Sequence, residues 1–91
     1  MSELTRAEFY EKYGKCVVKF SGYYKYTFTY IGIFTLENGD EVRVVVNYGG
    51  NSDQIYKHSV FNNDSKVLEV LQPYSGEVYK DGKVVDSFYD Y

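Results

Sequence analysis

Apolar residues recur along this chain with two different periods. Between Thr5 and Gly14 they follow a helical spacing, with Phe9, Tyr10 and Tyr13 gathered on one side. Thr5 followed three residues later by Glu8 is a capping box, in which hydroxyl and carboxylate each satisfy a free backbone amide of the other residue. Leu4 and Phe9 stand at the positions of a hydrophobic staple, and Gly14 stands where a left-handed C-cap is wanted. This pattern predicts a helix over 6–13. A helix of about two turns is unstable alone, so it is expected to lie against a sheet.

From Lys15 onward the apolar positions alternate, which predicts strands over about 15–20, 23–36, 40–48, 54–61, 66–71, 76–80 and 83–89. Ser21-Gly22 reads as a turn before the long run that begins at Tyr23. Asn38-Gly39 is a strong hairpin signal, because a two-residue type I′ turn needs positive φ at both positions. That turn pairs Glu37 with Asp40, Thr35 with Val42, Ile33 with Val44 and Ile31 with Val46. One face is then aliphatic, and the other receives Tyr24, Tyr26, Phe28, Tyr30, Phe34 and Leu36 across from Arg43 and Asn47. Both faces are rich in apolar atoms. Either Gly32 marks a bulge that reverses the upstream parity, or one face packs the helix while the other meets a partner. Asp81-Gly82 predicts a second type I′ hairpin, with Tyr79 opposite Val84, Val78 opposite Val85, Lys80 opposite Lys83 and Glu77 opposite Asp86. The fold class expected is α+β. A single domain over 1–91 has one short N-terminal helix on an antiparallel meander of about six or seven strands, as a curled sheet or a small barrel.

Twelve of the 91 residues are tyrosine, more amphipathic aromatic surface than one small core readily hides. The net charge of −3 is unevenly distributed. Residues 1–36 carry a balance of +2 and residues 37–91 a balance of −5. Nucleic-acid binding usually draws on basic charge, so it is disfavoured by this balance. Neither a secretory leader nor a membrane span is apparent, and a soluble cytoplasmic protein is expected.

The inventory of chemistry is short. His58, the only histidine, has no acid at motif spacing. Cys16 is the only cysteine, and its apolar neighbours mark it as a small buried hydrophobe. One histidine and one cysteine do not make a zinc site, and Asp53, Asn62, Asn63 and Asp64 lack the alternating spacing of a calcium loop. Glu77 and Asp86, the candidate carboxylate pair, fall on an exposed hairpin rather than in a cleft. Gly49-Gly50 lacks the spacing of a phosphate loop. Neither an enzyme nor a cofactor is expected.

In general character the chain is similar to small phage-encoded inhibitors of bacterial defence, the anti-CRISPR proteins among them. The likeness rests on length, the acidic tilt of 37–91, the tyrosine content and the absence of catalytic motifs. It implies a cofactor-free protein that occupies a nucleic-acid-binding or subunit surface of a larger host protein or ribonucleoprotein. The residues expected to meet such a partner, on a basic surface, are Tyr23, Tyr24, Tyr26, Tyr30, Asp81, Asp86, Tyr89, Asp90 and Tyr91. A second reading is a single-strand-binding barrel that stacks bases on Tyr24, Tyr26, Phe28 and Tyr30 beside Lys19, Lys25 and Arg43. A third is a domain that self-associates, as a homodimer for example, and buries its surplus tyrosines between copies.

Overall fold

A computed structural model describes residues 2–25, 27–49 and 65–90 of the chain. The expected strand over 54–61 and the residues Tyr26, His58 and Tyr91 lie outside the described residues. In chain order the elements are β1 (Ser2–Glu3), α1 (Arg6–Tyr13), β2 (Val17–Tyr24), β3 (Thr27–Thr35), β4 (Glu41–Gly49), β5 (Ser65–Val67), α2 (Leu68–Leu71), β6 (Ser75–Lys80) and β7 (Lys83–Tyr89). The sheet order is β1-β7-β6-β4-β3-β2-β5. Six strands are antiparallel, and the two-residue β1 adds a parallel edge to β7. The sheet is open, with α1 over one face.

α1 spans the expected residues, and its capping box is formed. The Thr5 hydroxyl accepts from the Glu8 N–H (3.1 Å), and the Glu8 carboxylate accepts from the Thr5 N–H (2.9 Å). Gly14 is not left-handed as expected. It stays in the right-handed region at φ −60°, where its N–H still reaches the Tyr10 carbonyl (2.7 Å). Phe9 and Tyr13 are buried, and the Phe9 ring lies 4.5 Å from that of Phe88 on β7.

The β3–β4 hairpin departs from the expected register by one residue. Leu36 N–H donates to the Asp40 carbonyl (2.8 Å) and Gly39 N–H to the Leu36 carbonyl (2.9 Å). The loop is therefore the three residues Glu37, Asn38 and Gly39, and only Gly39 has positive φ (+92°). This is a three-residue turn with glycine at the left-handed bulge position. Asn38 contributes its side chain instead, accepting the Asp40 N–H at 3.0 Å. Thr35 consequently pairs with Glu41, Ile33 with Arg43 and Ile31 with Val45. A slip of one residue exchanges the faces of one strand relative to the other. The core face joins Phe28 and Tyr30 to Val42, Val44 and Val46, while Ile31 and Ile33 turn outward.

Gly32 is not a bulge, since the β3–β4 ladder runs unbroken through it. Its missing side chain makes room for the Val17 carbonyl, into which a Cβ would run. The bulges lie elsewhere, one between Phe20 and Gly22 in β2 and the other beyond Val78 in the β6–β7 pair. Ser21-Gly22 thus lies within β2 rather than in a turn. The chain reverses between Tyr24 and Thr27, where Lys25 takes φ 57°. The second hairpin has the expected Asp81-Gly82 turn and pairs Lys80 with Lys83 and Tyr79 with Val84. Beyond the bulge Val78 faces Asp86 and Glu77 faces Ser87, not the expected partners.

The expected strand over 66–71 stops at Val67 and becomes a helical turn. Leu68 and Leu71, three apart, both enter the core, and Val70 is left 72% exposed. The Leu68 and Glu69 N–H groups donate to the carbonyls of Cys16 (2.9 Å) and Gly14 (3.1 Å), so tertiary partners replace a strand ladder.

The register makes a direct test. Val44→Asp places an unpaired charge in the core and is expected to cost more than about 4 kcal/mol, whereas Ile33→Asp, on an exposed position, should cost within about 1 kcal/mol. Thermal melts of both variants decide it. Equal losses would restore the two-residue turn, in which both side chains share one face.

Candidate binding surface

The strand directions bring one end of β2, β3, β4, β6 and β7 together, and that end is tyrosine-bearing. Tyr24 pairs with Thr27, which pairs with Gly49, while Tyr23 pairs with Phe28, which pairs with Tyr48. Tyr74 N–H donates to the Asn47 carbonyl (2.9 Å), its hydroxyl lies 3.2 Å from the Thr27 hydroxyl, and its carbonyl accepts the Asp90 N–H (2.9 Å). Tyr89 is opposite Ser75. Tyr23, Tyr24, Tyr48, Tyr74 and Tyr89 thus share one rim.

The rings are held to different degrees. Tyr48 is stacked on the buried Phe28 at 5.8 Å. Tyr23 leans on Phe28 at 6.4 Å yet stays 51% exposed. Tyr24 is 76% exposed, with the Lys25 ammonium 5.4 Å from its ring centre. Tyr89 is 45% exposed, and its hydroxyl donates to Glu77 (3.1 Å). Behind this rim Tyr10 donates to the Pro73 carbonyl (2.6 Å), and Arg6 pairs with Asp90 at 2.8 Å. The turn at Lys25 ends β2 with two consecutive tyrosines, so the alternation of the strand sends one ring to each face.

Of the residues expected to meet a partner, Tyr23, Tyr24, Tyr89 and Asp90 lie at this end. Tyr30 does not: it is fully buried in the core, because the shifted register turns it to the side of Val42, Val44 and Val46, where its ring lies 5.7 Å from that of Phe20. The base-stacking platform therefore does not form, since Phe28 is buried beside it. Asp86 is also buried, at 6% exposure, because the bulge beyond Val78 aims it beneath α1. There it accepts from the Tyr13 hydroxyl and from the Lys12 ammonium (2.9 Å). Asp81 occupies the opposite end of the sheet, in the turn between Lys80 and Lys83. The three aspartates expected to meet a basic partner surface are thus separated. Tyr48, Tyr74 and Lys25 belong to the rim although their sequence context does not single them out. The visible signals are the glycine after Tyr48 and the proline before Tyr74, which mark strand ends.

Away from this rim, a cleft of ≈ 540 Å³ separates Glu11 and Lys12 from Phe34–Asn38. Among the described residues no three His, Cys, Asp or Glu side chains gather in a metal-binding group. Among them, too, no helix is long and apolar enough to cross a membrane. Cys16 is buried, and burial raises its thiol pKa to about 11, well above the range of a reactive thiolate. Comparison of the chain with protein-family models, with curated proteins and with solved structures finds no match.

The Tyr13–Asp86 pair has a pH signature. Burial, then the hydrogen bond to the Asp86 carboxylate and its negative charge, raise the Tyr13 phenol above its ordinary 10.0. Below pH 10 the phenol is protonated in both folded and unfolded chains, and its contribution is complete. Above it the unfolded chain releases a proton that the folded chain retains, so stability falls as pH rises. Tyr13→Phe should lower stability at pH 7 by about 1.5–3 kcal/mol and flatten the decline above pH 10. Chemical denaturation between neutral pH and pH 11 measures both effects. An unchanged alkaline slope would remove Tyr13 as a principal source of the pH dependence.

Proposed function

We propose that this protein is a non-enzymatic binding module that docks on a larger protein through the tyrosine rim of its sheet. Its setting, in this reading, is that of a phage or mobile-element inhibitor of a bacterial defence complex of CRISPR–Cas type. The observation that carries the docking surface is the concentration of Tyr23, Tyr24 and Tyr89 at one end, all substantially exposed. Tyrosine supplies large contact area at low entropy cost and is enriched among residues that dominate binding energy. The small size, the tyrosine content and the lack of a recognisable catalytic motif support the inhibitor setting.

The dispersal of Asp81, Asp86 and Asp90 changes the expected mode of recognition. Asp90 is neutralised by Arg6, Asp86 is buried, and Asp81 stands between two lysines. Aromatic anchoring, rather than an acidic surface steering towards a basic one, is the mode proposed.

The test is phage plaquing on strains that carry a CRISPR–Cas system directed at that phage. Wild-type protein expressed in at least one such strain should restore plaques. The Tyr23→Ala/Tyr24→Ala variant should fail to restore them while keeping the wild-type melting temperature, because loss of an interface anchor costs about 2 kcal/mol or more. No restoration across a panel of CRISPR–Cas types would overturn the inhibitor reading. Full activity of the double variant would exclude the rim as the docking surface.

A further inference from the structure

The face of the sheet opposite α1 carries a pattern that is complementary to itself. Because Val44 and Val78 point to the core, their neighbours Val45 and Glu77 point outward, as do Lys19 and Ile31. Register places these four in one row across four adjacent strands: Lys19 on β2, Ile31 on β3, Val45 on β4 and Glu77 on β6. The row reads cation, aliphatic, aliphatic, anion. The next row continues the outward face with Ile33, Arg43 and Tyr79, the Arg43 guanidinium 5.1 Å from the Tyr79 ring centre. Ile33 and Val17, both of outward parity, are 60% and 58% exposed. Exposed aliphatic side chains on one sheet face, here beside the half-buried Ile31 and Val45, favour a covering surface.

We propose that this face pairs with the same face of a second copy across a two-fold axis that runs parallel to the strands, between β3 and β4. That operation lays each row over itself in reverse. Lys19 then meets Glu77 of the second copy, and Ile31 meets its Val45, twice over by symmetry. The orientation is selected by charge. An in-plane axis perpendicular to the strands through this row would set Lys19 against Lys19 and Glu77 against Glu77, which like-charge repulsion disfavours. Aligned sheets pack about 30° apart, so the correspondence is closest near the axis, where the aliphatic pair lies. An axis along the strands also points both tyrosine rims the same way. If the rim is the docking surface, the dimer presents two of them side by side, and linked sites gain avidity without a new contact.

Sedimentation velocity over a concentration series tests this without any docking partner. Wild-type protein should show a concentration-dependent monomer–dimer equilibrium. Lys19→Glu alone and Glu77→Lys alone should each weaken the dimer by about tenfold or more, because each faces like charges across the axis. The double exchange Lys19→Glu/Glu77→Lys should restore it. Lys19 is exposed and makes no ion pair among the described residues, so its reversal leaves the fold intact and stands as evidence even if Glu77→Lys disturbs Tyr79 and Tyr89. A wild-type protein that stays monomeric up to its solubility limit would overturn the proposal. So would a dimer indifferent to Lys19→Glu, or one that folded double-exchange protein fails to regain.

Discussion

Three residues in one turn decide which side chains of the central hairpin reach the core. Gly39 alone takes the left-handed conformation, so the loop holds Glu37, Asn38 and Gly39 and the register of β3 against β4 follows. Strand side chains alternate, and a loop longer or shorter by one residue would turn one strand over relative to the other. With this register Phe28, Tyr30, Val42, Val44 and Val46 form a single buried layer. The same choice leaves Ile31 and Ile33 on the far side. Core and open face are therefore two consequences of one backbone constraint.

The helix needs a matching surface on the other half of the sheet, and a second irregularity provides it. The extra residue in β7 turns Asp86 and Phe88 to the helix side, where Phe88 meets Phe9 and Asp86 meets Tyr13 and Lys12. Gly76 lies beneath them, and a Cβ there would press on Phe9, Phe88 and Val46 at 2.9–3.1 Å. A buried carboxylate is tolerable because it accepts two donors, one of them charged. Burial and that carboxylate together hold the Tyr13 phenol in its protonated form.

Among the described residues, the helix covers one face, and the chemistry of the rim and of the opposite face differs. The rim offers rings with polar tips, suited to a surface that is dry in the middle and wet at the edge. The open face offers branched aliphatic side chains with Lys19 and Arg43 as cations and Glu77 as an anion among them. The two surfaces adjoin, since the Tyr89 hydroxyl of the rim donates to Glu77 of the open face. A protein with both would hold its partner-facing rims together by self-association.

Local chemistry was legible in the sequence wherever it depends on residues close together in the chain. The limits of α1, its capping box, the Asp81-Gly82 turn, the burial of Cys16 and the antiparallel character all follow from spacing and turn composition. The aromatic rim was legible in part, through the adjacent Tyr23 and Tyr24 and through Tyr89. What required the tertiary structure was every property that depends on parity. Asn38-Gly39 is compatible with a loop of two residues or of three, and only packing of the paired strands against α1 distinguishes them. The bulges that aim Asp86 inward and keep Ser21-Gly22 within a strand have no fixed residue signature, so Asp86 reads as a surface group in the sequence and is a core group in the fold, as Tyr30 is through the three-residue loop. Leu68–Leu71 could alternate as a strand or coil as a helical turn, and carbonyls more than fifty residues upstream, at Gly14 and Cys16, decide it. Sequence near a position sets what the backbone can do there, while burial of the whole apolar surface selects among those options.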